Sequence, residues 1–168
     1  MRYTPVALAL SLLAAVSASG GRAAEQAPLD PRASALLAQG QGQLAHGNVD
    51  AATDAFEAAL VVDPGAVPVY LALGDAARRA GLQGKAIHYY RDALAIEPQN
   101  LAAIAGEGGA LAEKGAIDKA KRNLAQLQGL CGNGCAQVAE LNAAINKGPL
   151  PRLVSADAVK PAPKIEAN

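Results

Sequence analysis

The chain repeats itself every 34 residues. Set in lines 33–66, 67–100 and 101–134, it places Gly40, Gly74 and Gly108 in one column and Gly47, Gly81 and Gly115 in another. Ala52, Ala86 and Ala120 share a third. Phe56, Tyr90 and Leu124 share a large apolar slot, and Pro64 and Pro98 close the first two lines. A unit of this length cannot bury its apolar face alone, so neighbouring units must stack into a continuous core.

Each line reads as two helices. Glycine supplies the left-handed backbone that stops a helix, so Gly47, Gly81 and Gly115 divide the pairs. Proline cannot continue a helix, so Pro64 and Pro98 end them. The spacing predicts helices over 33–45, 49–62, 67–80, 83–96, 101–114 and 117–129, with Asn48 and Asn100 as N-caps. Hydrophobic residues fill 51% of the 168 positions but aromatic ones only 3%. The apolar mass is therefore mostly alanine, which favours helix and covers little area. A core built from it needs helices that approach closely. The columns offer that approach: Gly74 is expected to face Ala86, Gly40 to face Ala52, and Gly108 to face Ala120. A glycine inside a helix costs roughly 1 kcal/mol against alanine, so three at one phase imply that packing compensates. Strand formers never alternate over a useful length, and no sheet is expected.

The pattern resembles the tetratricopeptide repeat family. Line two carries Tyr70, Leu73, Gly74, Gly81, Ala86, Tyr90, Ala93 and Pro98. Line one keeps Leu36, Gly40, Gly47, Ala52, Phe56, Ala59 and Pro64, with Gln39 and Gln43 where apolar residues are usual. Line three keeps Ile104, Gly108, Leu111, Gly115, Ala120 and Leu124, with a polar Glu107 and with Leu127 in place of a small residue. The resemblance implies an all-α, right-handed solenoid of three helix-pair repeats over 33–134, followed by a C-terminal capping helix. It also implies that the first helices line a concave surface that holds a peptide or a partner protein. On that geometry Leu37, Gln41 and Leu44 face the concavity from line one. Leu71, Asp75 and Arg78, with Arg79 beside them, face it from line two. Ala105, Gly109, Ala112 and Glu113 continue it from line three, giving a shallow, alanine-lined groove with one mixed-charge patch. The Lys, Asn and Arg set with which some family members grip a C-terminal carboxylate is missing, so binding of chaperone tails is not expected.

Beyond the repeats, CAQVAELNAAINK puts Val138, Leu141 and Ile145 on one stripe and reads as a cap helix over 135–147. The domain then spans 33–148. Residues 1–24 read as a secretory signal: Arg2, an apolar run from Val6 to Val16, then small residues. Residues 25–32 read as a linker and 149–168 as a disordered tail with few large apolar groups. The expected location is periplasmic or secreted, with no stable membrane insertion once the signal is cleaved.

Cys131 and Cys135, in CGNGC, read as a structural disulfide in a secreted chain. The alternative is an accessory thiol protein in which this pair cycles. Covalent haem attachment is excluded because Ala136 stands where a histidine is needed. His46 and His88 lie in different repeats and lack metal-ligating company, so no metal site and no cofactor are expected. The formal net charge is zero, without the basic patch that nucleic acid demands. With no nucleophile beside a base and no phosphate loop, the reading is a non-enzymatic scaffold for a protein or peptide ligand. Self-association through exposed alanine-rich faces is a further reading.

Overall fold

In the computed structural model, which describes residues 28–150, these residues form seven helices and no strand. They are α1 (Pro31–Ala45), α2 (Val49–Val62), α3 (Val67–Arg79), α4 (Gln83–Ile96), α5 (Leu101–Glu113), α6 (Ile117–Cys131) and α7 (Ala136–Lys147). The expected signal over 1–24 and residues 151–168 of the expected tail lie outside the described residues.

Helix boundaries follow local chemistry. Gly47, Gly81 and Gly115 adopt φ of 80°, 75° and 90°, a region closed to most side chains, and they turn the chain between the helices of each pair. Helix α1 starts two residues earlier than the spacing predicts. Asp30 accepts a hydrogen bond from the Arg32 N–H at 2.8 Å, and Pro31 sits in the first turn, where its missing N–H costs nothing. Residues 31–32 are therefore helix rather than linker. Asn100 caps α5 by accepting from the Ala103 N–H at 2.9 Å. Asn48 does not cap α2, because its amide turns back and donates to Gln43 Oε1 at 2.9 Å. At the other end α6 runs on to Cys131.

Helices α1, α3 and α5 approach in succession along one side, whereas α2, α4 and α6 pack on first helices and their backbones stay apart from one another. An inner row in contact and an outer row spread apart make a curved stack. Helix α7 packs on α5 and α6 and closes the C-terminal end. The chain is thus an all-α helical solenoid.

The glycine columns work differently from the expected glycine-on-alanine contact. A Cβ added at Gly74 would lie 2.6 Å from the Tyr90 ring, and one at Gly40 would collide with Phe56. Each glycine makes a seat for the aromatic ring of its own repeat, while Ala52, Ala86 and Ala120 are fully buried beside it. The few aromatics thus supply the area that alanine lacks.

Helix α5 is buried from Ala103 through Ala112, and its glycines serve three neighbours. Gly106, like Gly74, lies against the Tyr90 ring, Gly108 receives Leu141 of α7, and Gly109 lies under Arg78. Glu107, polar where the repeat usually is not, bridges the outer helices. It accepts from Arg91 Nε at 2.7 Å and from Asn123 Nδ2 at 3.0 Å, and Asn123 also donates to the Ile104 carbonyl at 3.2 Å. A buried carboxylate with two donors is tolerated where an unpaired one would not be.

The cap behaves as its stripe predicts: Val138 and Leu141 are buried with Ile104 and Leu127, and Ile145 packs against them. Cys131 ends α6 and Cys135 begins α7, with their sulfurs meeting and their Cα atoms 6.0 Å apart. The expected tail does not start at 149, since the Leu150 N–H donates to the Glu113 carbonyl at 2.9 Å and holds the chain against α5. Among the described residues no helix is long and apolar enough to cross a membrane.

Candidate functional site

The inner row forms two adjoining hollows. The first, of about 410 Å³, lies between α1 and α3. Gln41, Leu44 and Ala45 form one wall, Pro68, Leu71, Asp75 and Arg79 the other, and Phe56 part of the floor. The second, of about 320 Å³, is bounded by Asp75, Arg78, Arg79 and Glu113. Asp75 and Arg79 belong to both, so the hollows make one groove across α3.

Seven of the residues expected on the concave face therefore come together: Gln41, Leu44, Leu71, Asp75, Arg78, Arg79 and Glu113. Leu37 does not join them. It is buried with Ala33, Phe56 and Leu73 in the core that α1, α2 and α3 share. The third repeat offers less open surface than expected, because Ala105 and Ala112 are buried and Arg78 covers Gly109.

Each charged group of the groove has a partner, and one pair neutralises itself. Arg78 donates to Glu113 through Nη2 at 2.6 Å and Nε at 3.3 Å, a two-point pairing that fixes both side chains. The guanidinium lies close over Gly109, where an added Cβ would stand 2.9 Å from Arg78 Nη2. Burial opposes the charge on Arg78, but the hydrogen bonds and charge of Glu113 outweigh it and hold the guanidinium above its usual range. The Tyr90 hydroxyl donates to Asp75 Oδ1 at 2.5 Å. Burial first, and then the neighbouring Asp75, push that hydroxyl above the ordinary tyrosine range, so it remains a donor at neutral pH. Arg79 Nη1 donates to the Leu44 carbonyl at 3.1 Å, which joins α3 to the C-terminal end of α1. Asp75 is thus bonded to a neutral hydroxyl and Arg79 to a carbonyl, while Arg78 and Glu113 satisfy each other.

Sequence reasoning missed Pro68 and the Phe56 floor, and it missed Gly109 as the bed of Arg78. The glycine pair Gly108–Gly109 was the available signal. It also missed an outer hollow of about 370 Å³ between α2 and α4, where Asp54 and Glu57 face Lys85 and Tyr89. Lys85 lies 3.7 Å from Glu57 and 5.6 Å from the Tyr89 ring centre. His46 Nδ1 lies 2.7 Å from the Gly42 carbonyl, and His88 Nε2 lies 3.6 Å from Asp92; neither lines the groove. Among the described residues no cluster of three His, Cys, Asp or Glu could hold a metal ion.

Three stacked antiparallel pairs, glycine seats for aromatic rings and a groove along the first helices define a fold of the tetratricopeptide-repeat kind. No protein-family model matches the chain, and no curated protein does. Solved structures do. The TPR domain of Sgt2 from Aspergillus fumigatus is similar with a TM-score of 0.64 at 20% identity, over 83% of this chain and 91% of that one. The first TPR of Spaghetti (RPAP3), bound to the HSP90 peptide SRMEEVD, has a TM-score of 0.62 at 20% identity, over 69% and 92%. The type III secretion chaperone SycD of Yersinia enterocolitica, in complex with a peptide of the translocator YopD, has a TM-score of 0.61 at 20% identity, over 68% and 89%. At these identities the likeness is one of fold.

Proposed function

We propose that this chain is a non-enzymatic interaction scaffold of the periplasm or cell envelope that holds an extended peptide segment of a partner protein on its concave face. The observation that carries the reading is the continuous groove across α3. The first hollow sets Leu44, Phe56 and Leu71 beside Gln41, and Asp75 and Arg79 join it to the second, wholly polar hollow that Arg78 and Glu113 complete. An extended peptide offers side chains at regular spacing to such adjoining pockets. Its apolar groups would sit at the Leu44–Leu71 end and its charged groups along Asp75, Arg79 and the second hollow. Two of the similar structures, those of RPAP3 and SycD, contain bound peptides, which supports a peptide-holding use of this shape.

The envelope location draws on the N-terminal pattern and on the two cysteines. In this reading Cys131–Cys135 is oxidised and acts as a clamp, tying the end of α6 to the start of α7. The thiol-cycling alternative gains no support from the positions of the two residues, which lie at the capped end of the stack, away from the groove.

Peptide display tests the scaffold reading. Sequences enriched on the wild-type chain should bind the Leu71→Glu variant at least tenfold more weakly, with helix content unchanged. Equal binding by the two chains would remove the concave face from the account.

A further inference from the structure

Leu150 is where the described chain leaves the fold, and it leaves at the groove. Its N–H donates to the Glu113 carbonyl at 2.9 Å, while the Glu113 side chain forms one edge of the second hollow. The sequence then continues PRLVSADAV over 151–159. An extended chain advances about 3.3 Å per residue. Three to five residues beyond Leu150 therefore span about 10–16 Å, roughly the width of one helix and enough to cross α3 into the first hollow.

The chemistry of those residues suits the surfaces in the order the chain would meet them. Arg152 would come first, and the carboxylate open to it would be Asp75, which the fold bonds to the neutral Tyr90 hydroxyl. The two cations nearby are already engaged, Arg78 by Glu113 and Arg79 by the Leu44 carbonyl. Leu153 and Val154 would come next, toward the first hollow with Leu44, Phe56 and Leu71 in its lining.

We propose that residues 151–155 lie in the concave groove as an intramolecular ligand, which an outside peptide must displace. The proposal rests on the groove being a peptide-holding surface, and it adds a regulator of that surface. A tethered segment acts at an effective concentration in the millimolar range. Weak contacts therefore suffice to fill the groove and still yield to a tighter partner.

Photo-crosslinking of the full chain tests this. With Leu153 replaced by p-benzoylphenylalanine, irradiation of the dilute protein should give adducts within one chain, mapped by mass spectrometry to residues 41–45 or 68–79. Adding Asp75→Arg to the same chain should lower their yield several-fold at unchanged helix content. Adducts on α2, α4 or α6, adducts joining two chains, no adduct, or a yield indifferent to Asp75→Arg would each overturn the proposal. Groove-directed adducts in a chain that selects no peptide would leave the tail placement standing and remove the partner reading. Peptide selection without such adducts would do the reverse.

Discussion

Tyr90 and Leu124 occupy the same position of consecutive repeats but are held differently. Tyr90 is 1% exposed, and Gly74 and Gly106 of the next repeat both lie against the Cδ1–Cε1–Cζ part of its ring. Leu124 is half-buried, and the seat at Gly108 is filled instead by Leu141 from the cap helix. The middle of the stack is thus locked by two of its own repeats, whereas the C-terminal end borrows a side chain to complete itself. A glycine column fixes where a large group must go without fixing which residue supplies it. The groove sits on the locked part, since the Tyr90 hydroxyl supports Asp75 while α3 and α5 hold Arg78 and Glu113 in place.

The comparison is broken most forcefully at Tyr90. Tyr90→Ala should cost about 4 kcal/mol, the range for removing a buried aromatic, measured by chemical denaturation. Because both adjoining repeats use the ring, hydrogen exchange should accelerate in α3, α4 and α5 together. Leu141→Ala should cost less, about 3 kcal/mol, with faster exchange concentrated in α6 and α7. A larger loss at Leu141 than at Tyr90 would mean that the end, not the middle, holds the stack.

The cysteines sharpen the same contrast. Replacing both Cys131 and Cys135 by serine should cost about 2 kcal/mol on the chain-entropy account of so short a ring. The loss should show as faster exchange in α7, with peptide binding unchanged. Thiol labelling of the oxidised native protein should stay low; fast labelling under mild reductant would favour the cycling alternative.

Much of this architecture was legible before any coordinates. Gly47, Gly81, Gly115, Pro64 and Pro98 punctuate helix pairs for backbone reasons that tertiary context does not override. The same period placed Gln41, Leu71, Asp75, Arg78, Arg79 and Glu113 along one row, and they line the groove. Other features depend on what lies across an interface, which one sequence does not display. Leu37 was lost because it packs into the core that α1 shares with α2 and α3. Glu107 looked like a departure from the repeat, and only its meeting with Arg91 and Asn123 shows it to be a bridge. The ring seats at Gly40 and Gly74 were mistaken for alanine contacts because the reach of Phe56 and Tyr90 depends on how the helices cross. The start of α1 was set by Asp30, a cap outside the repeat that revealed the others.

Two glycine-to-alanine substitutions test most directly whether these glycines are seats. Gly42 lies in the interior of α1 with nothing within 4 Å of an added Cβ, so Gly42→Ala should stabilise by up to about 1 kcal/mol through helix propensity. At Gly106 the added Cβ would collide with the Tyr90 ring, and that ring also lies against Gly74. Gly106→Ala should therefore destabilise by about 1–2 kcal/mol despite the same gain in propensity, because overpacking a filled core costs more. Opposite signs in the two unfolding curves are the result expected. Stabilisation by both substitutions would contradict the account, since it would mean that the ring is not held where the stack requires it.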